Sequence, residues 1–387
     1  VTKQKISGAS FGTPDVTFDP FTLVNASVGV TYTLDLFGGT RRRIEALEAQ
    51  EDYQRYILEA TYMTLTANIV TTAVQEASLR AQIKATREIL AAEQKRLDIL
   101  KKQFELGAIS KTAVLAQESE LAVTASTLPA LEKQLDFTRH ALSVLIGQFP
   151  GKGGLPEFHL DSMHLPELLP VTLPSQLAHQ RPDIRASESL LHQACAAVGV
   201  ATANLYPQIT LSAGYGFQST TLGELFNGTS TVWNLGAGLL QPIFRGGELT
   251  AKKRSAVAAY DQASAQYRNV VLKAFQNVAD VLRALETDAR ALQAQSEAYN
   301  AISATLNLIE KQYELGAVNY LALLLAQRDY QKIKINLITA QAQRYADTAA
   351  LFQALGGGWW NSRTSAVLPA QKKEIGNQQQ LRDSTGH

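Results

Sequence analysis

"KKQFELGAIS" (residues 101–110) and "EKQYELGAVN" (residues 310–319) share six of ten letters, and their glycines, Gly107 and Gly316, stand 209 positions apart. Phe104/Tyr313 and Ile109/Val318 are close swaps. The correspondence extends outward at nearly the same offset: "ALSVLIG" (141–147) matches "ALFQALG" (350–356), and "LDLFGG" (34–39) matches "QPIFRGG" (241–247) with one insertion. Self-similarity at a fixed distance is the mark of a repeated architecture. Each half reads as strand, Gly-Gly turn, long helix, Leu-Gly-Ala turn, second helix, glycine.

The segments leading into the two turns carry a seven-residue step. Val271, Val278, Leu285, Leu292, Tyr299, Leu306 and Tyr313 keep it in the second half. Tyr62, Ile69, Ile83, Leu90, Leu97 and Phe104 keep it in the first, with Glu76 as the exception. A sustained heptad means helices supercoiled against neighbours. Helices over about 40–106 and 247–315 contain no proline, and each would run on the order of 100 Å at about 1.5 Å per residue. Gly107 and Gly316 fit the left-handed position that ends a helix. Shorter helices are expected over about 110–147 and 319–355, the first interrupted near Thr127 by Pro129.

A period of two appears elsewhere. "VGVTYTLDLF" alternates Val28, Val30, Tyr32 and Leu34 with Gly29, Thr31, Thr33 and Asp35. "ITLSAGYGFQ" and "WNLGAGL" do the same, placing Leu211, Tyr215, Trp233 and Leu235 on apolar faces opposite glycine, serine, threonine and asparagine. Such strands of about ten residues suit a membrane β-barrel, apolar toward lipid and polar toward a wet lumen. Strands are expected at about 1–11, 25–38, 206–218 and 231–244, with a helix at about 182–203. The chain divides into a first repeat (1–148), a Pro/Gly-rich connector (149–174), a second repeat (175–360) and a polar tail (361–387) expected to be poorly ordered.

The bulk numbers exclude several classes. In 387 residues, 36 basic and 35 acidic side chains leave a net charge of +1, against the clustered positive charge a nucleic-acid surface requires. One cysteine, Cys195, rules out a disulfide framework; among small helical residues it reads as a packed thiol. No run of about 18 apolar residues marks a membrane helix. "HLDSMH" (159–164) gathers His159, Asp161 and His164 on a proline-flanked connector, more a solvated linker than a metal site. Gly356–Gly358 follow a helix, so they terminate it instead of cradling a phosphate. No catalytic constellation, metal site or cofactor motif stands out.

"LPSQLAHQRPDIRASESLL" (173–191), "ANLYPQITLSAGYG" (203–216), "QPIFRGG", "YELGAVNYLALLLAQRD" (313–329) and "ALGGGW" (354–359) resemble the TolC-like outer-membrane efflux proteins. The branch is similar to the lipid-anchored outer-membrane factors that serve resistance-nodulation-division pumps. The resemblance implies a mostly α-helical homotrimer. Each chain would give four strands to a shared twelve-stranded β-barrel in outer-membrane lipid and its helices to a periplasmic α-barrel. The implied function is a passive exit duct for small molecules, fed by an inner-membrane pump through a periplasmic adaptor, with neither enzyme activity nor cofactor. Alternatives are a duct of a protein-secretion system and a soluble coiled-coil scaffold. The helix that should precede the first strand pair, with the lipid-attachment cysteine and signal peptide, is expected upstream of Val1.

In that family the helix turns form the periplasmic tip, where the pore narrows and the adaptor docks. By resemblance, docking falls on Leu106, Gly107, Ala108, Leu315, Gly316, Ala317 and Asn319. The constriction falls on Tyr313, Val318, Tyr320, Leu321, Leu325 and Asp329. Val28, Val30, Tyr32, Leu211, Tyr215, Trp233 and Leu235 would face lipid. The chain departs from the family pattern where many members carry an aspartate ring, since it has Leu325 there and Ala322 one turn earlier, and Val318 replaces an arginine. An apolar constriction around Leu321 and Leu325 is expected, with Arg328, Asp329 and Tyr313 as the nearest polar groups.

Overall fold

The computed structural model describes residues 1–7, 12, 19–166 and 180–358. The expectations for residues 8–11, for the end of the connector, for Trp359 and for the polar tail lie outside the described residues. In chain order the elements are β1 (Thr2–Gln4), β2 (Phe21–Leu34), α1 (Gly39–Glu105), α2 (Lys111–Leu145), α3 (Pro182–Ala203), β3 (Gln208–Ser219), β4 (Thr231–Leu240), α4 (Glu248–Glu314) and α5 (Tyr320–Ala354). α1 and α4 are both 67 residues long, and α2 and α5 are both 35. The chain forms two compact units, Val1–Tyr53 with Ser187–Tyr267 and Gln54–Ala186 with Arg268–His387. Each therefore draws on both halves of the sequence.

The first unit holds one antiparallel sheet in the order β1-β2-β3-β4. β2 covers 21–34 instead of 25–38. Its start is set by pairing with β1, with Thr2 opposite Leu23 and Gln4 opposite Phe21. Its end is set by Asp35, which leaves the ladder to cap α1: Oδ1 accepts from the Thr40 amide at 2.8 Å and Oδ2 from the Arg41 amide at 2.9 Å. These amides hold the Asp35 carboxyl below its usual range. β4 stops at Leu240, short of the expected 244, just before Pro242, which has no N–H to give a ladder. On α3, Ala196 is fully buried while Cys195 is exposed, which corrects the packed-thiol expectation: the alanine, one position on, takes the inward face.

The second unit is helical. α2 runs unbroken through Pro129, where an interruption was expected. Proline in a helix interior costs about 3 kcal/mol, but Thr124 before it and Thr138 and Leu142 after it are buried, so packing holds the helix on both sides. Glu76, the break in the first heptad, is fully buried. Its Oε1 accepts from Arg80 Nε at 2.8 Å and Arg139 Nη1 at 2.6 Å, and Oε2 accepts from the Phe158 amide at 3.0 Å. The exception is thus an ionic hub tying the connector to α1 and α2. Leu160 of the connector joins Val74, Ala77 and Ala342 in a core cluster. Arg181, from the Arg-Pro-Asp-Ile motif, donates to the carbonyl of Ala354 at the end of α5 at 2.8 Å and pairs with Asp183 at 2.7 Å. The segment that opens α3 thereby caps the end of α5, distant from it in sequence.

Candidate functional site

Two surfaces qualify, each within one unit. The first is the sheet. Its register stacks the alternating residues into rows: Val28–Tyr215–Trp233, Val30–Ala213–Leu235 and Tyr32–Leu211–Ala237. The residues between them stack likewise on the other face: Gly29–Gly214–Asn234, Thr31–Ser212–Gly236 and Thr33–Thr210–Gly238. One face is therefore continuously apolar and the other small and polar. Val28 and Trp233 are each 75% exposed, so none of the described residues covers the apolar face there. On the polar face the Asn234 carboxamide lies over Gly214 so closely that a Cβ there would overlap it. The sheet edges, β1 and β4, have no further partner strand among the described residues.

The second surface is the pair of helix turns. After α1, the Gly107 amide donates to the Phe104 carbonyl at 2.9 Å and the Ala108 amide to Gln103 at 2.8 Å, with Gly107 at φ +74°. After α4, Gly316 donates to Tyr313 at 3.0 Å and Ala317 to Gln312 at 2.8 Å, again at φ +74°. Both are Schellman caps, in which the left-handed glycine lets the last carbonyls find amides. Leu106, Gly107, Ala108, Leu315, Gly316, Ala317 and Asn319 are all exposed.

Behind the turns lies a polar seam between α2 and α5. Arg328 Nε donates to Glu120 Oε2 at 2.6 Å, and the Tyr320 hydroxyl bonds the Gln117 side-chain oxygen. Gln331 Nε2 reaches Thr124 Oγ1 at 3.5 Å. Gln117, Glu120 and Thr124 are all essentially buried, one stripe of α2 at helical spacing. Across the seam Arg96 of α1 pairs with Glu310 of α4 at 2.7 Å. Burial pushes the Tyr320 hydroxyl up to about 12, and burial likewise raises Tyr313, whose ring meets that of Tyr320 edge-on at 5.9 Å.

The expected constriction residues divide. Leu321, Leu325 and Asp329 form one exposed stripe along α5. Tyr320 points instead into the seam, Val318 and Tyr313 border a cleft of about 490 Å³, and Arg328 is committed to Glu120. Glu93, Gln117 and Glu120 were not foreseen. A signal existed: Leu79, Thr86, Glu93 and Leu100 form a second heptad line on α1, and all four are buried. Among the described residues no group of three or more His, Cys, Asp or Glu is placed to hold a metal ion, and no helix is long and apolar enough to cross a membrane.

An exposed apolar sheet face joined in one chain to paired long helices defines a class, and comparison with known proteins identifies it. The family described as outer membrane efflux protein matches residues 6–148 and 173–357. The chain belongs to that family; it is an outer-membrane efflux channel protein, located in the bacterial outer membrane with a long periplasmic portion. It is 30% identical to the pyoverdine export outer membrane protein OpmQ of Pseudomonas aeruginosa over 88% of this chain and 71% of that one. It is 31% identical to the probable efflux pump outer membrane protein TtgC of Pseudomonas putida over 88% and 71%, respectively. It is 30% identical to the cation efflux system protein CusC of Escherichia coli over 87% and 73%. Among solved structures, the outer-membrane channel OprN aligns with a TM-score of 0.86 at 27% identity, covering 92% of this chain and 80% of that chain. CusC aligns at 0.83 and 26%, covering 92% and 82%. The fold is accordingly mostly helical with four antiparallel strands, as in these channels.

Proposed function

We propose that the chain works as a homotrimer, a passive exit duct that receives small molecules from an inner-membrane pump of the resistance-nodulation-division type through a periplasmic adaptor. The observation that carries this reading is the four-stranded sheet with an exposed apolar face and two unpaired edges. An open edge in hydrocarbon leaves backbone groups unsatisfied, at several kcal/mol each. A barrel needs about eight strands to close. Four strands must therefore be completed by other copies, and three copies give twelve. In that arrangement Val28, Val30, Tyr32, Leu211, Tyr215, Trp233 and Leu235 face lipid, and the threonine, serine and asparagine rows face water.

The equal lengths of α1 and α4, and of α2 and α5, support a duplicated protomer, with the halves at 1–148 and 175–360 joined by the connector. The exposed turn residues Leu106–Ala108 and Leu315–Ala317, with Asn319, serve as adaptor docking points. The exposed stripe Leu321–Leu325–Asp329 on α5 lines the narrow end of the duct, closed by apolar packing in place of an acidic ring. The relatives' names span pyoverdine, cations and antibiotic or solvent efflux, and the cargo of this chain is placed in the same broad class of small molecules. The direct test is detergent-solubilised particle mass combined with conductance in planar bilayers. A particle of three 42.1 kDa chains forming channels that millimolar divalent cations do not block supports the reading. A monomer without channel activity, or strong cation block, overturns it.

A further inference from the structure

Glu93 sits on α1, behind the first turn, facing the seam. Its residue exposure is 5%, and its Oε2 is buried with no protein partner. Oε1 has one hydrogen bond, from the Thr124 hydroxyl at 3.1 Å. Of the basic groups nearby, Arg328 is bound to Glu120, and Arg96 gives Nη2 to Glu310 at 2.7 Å while its Nη1 is buried and makes no hydrogen bond. The other titratable groups facing this pocket are Glu120 on α2, itself 3% exposed, and Tyr320 on α5. A carboxylate this deep, with one oxygen unbonded and a second carboxylate beside it, favours its neutral form more than an exposed one does. The buried atom is enclosed within the single chain, so a neighbouring protomer does not supply the missing partner.

We propose that Glu93 is a proton-binding site that controls how firmly α5 is held against α1 and α2, so that the duct's tip opens more readily when the proton leaves. This regulation rests on the reading of the turns as the closed end of the channel. With Glu93 neutral, the two carboxylates near it each have a cation, Glu120 with Arg328 and Glu310 with Arg96. With Glu93 ionised, its charge stands beside that of Glu120, Arg96 already shares its guanidinium with Glu310, and the Glu120–Arg328 and Gln117–Tyr320 links to α5 weaken. The sign follows from burial, which pushes the Glu93 carboxyl above its usual value, with Glu120 adding to the rise and Thr124 and Arg96 opposing it. A carboxyl raised in the folded state stabilises the seam below that raised value and loses the effect as pH rises through it.

Planar-bilayer recording from acid to mildly alkaline pH tests this. The parent channel is expected to increase its open fraction several-fold as pH rises. Glu93→Gln, a neutral mimic of the acid, should stay in the low-pH state throughout, and Glu120→Gln should move the midpoint to lower pH. An unchanged pH response in Glu93→Gln, or no pH response in the parent, overturns the proposal. Infrared spectra of the purified protein supply a readout that needs no channel. A protonated-carboxyl band should persist beyond the ordinary carboxylate range and be lost in Glu93→Gln. The measurement is made in an Asp288→Asn background, because Asp288, hydrogen-bonded to Asp347, is pushed up to about 6 and would overlap. If that band is absent the proton site is wrong. If the band is present but no channel forms, the proton site stands and the channel reading of the turns fails.

Discussion

The two helix turns end their helices in the same way and begin the next ones differently. Both use a left-handed glycine at φ +74° and the same pair of amide-to-carbonyl bonds. Beyond the glycine, Ser110 makes no side-chain cap on α2, whereas Asn319 accepts from the Ala322 amide at 3.0 Å and starts α5 firmly. The first hairpin then offers buried acceptors, Gln117 and Glu120, and the second inserts Tyr320 and Arg328 into them. A shared turn motif sets the geometry, and the residues one to four turns later set the role. The first hairpin acts as the socket and the second as the part held in it.

Substitutions can break this asymmetry, and the largest effect is expected at the ion pair. Arg328→Ala leaves the Glu120 carboxylate buried and unpaired. Because the guanidinium is about half exposed, the loss should fall below the ~3–5 kcal/mol of a fully buried pair, at about 2 kcal/mol, read as a drop in unfolding midpoint. Glu120→Gln should cost less, since the freed arginine reaches water; equal losses would contradict the socket picture. Tyr320→Phe removes the hydroxyl from a buried carboxamide and should cost about 1–2 kcal/mol, with helix content unchanged by circular dichroism. Gly107→Ala and Gly316→Ala each force a Cβ into the left-handed region, about 1 kcal/mol apiece. Their losses should match in denaturant titrations, because neither glycine has a neighbour within 4 Å. The smallest contrast lies in the caps: Asn319→Ala should cost about 1 kcal/mol and Ser110→Ala only a few tenths, so a reversed order would show that the first turn is the better capped.

Much of this was legible in the letters. The heptads, the Leu-Gly-Ala turns and the alternating strands were readable because each is a local pattern with a single physical meaning. The strand ends were not, since Asp35 and Pro242 act through capping and a missing donor that periodicity does not register. Pro129 misled because local cost was weighed without the burial on either side of it. Glu76 and Glu93 were hidden for a different reason. A charged residue on a buried heptad line reads as an exception until its partners arrive from elsewhere, here Arg139 and Phe158 for one and Thr124 for the other. The turns themselves were legible as turns; that the Tyr320 side chain would bond Gln117 in the seam was not. Sequence spacing alone did not show which face of α5 is already occupied.

The most direct test of the account is the single-channel conductance of a Tyr320→Phe/Arg328→Met double variant against the parent protein. If the second hairpin is held closed by its two polar links to the first, conductance should rise several-fold while helix content is retained. Unchanged conductance in a folded, channel-forming double variant would contradict it.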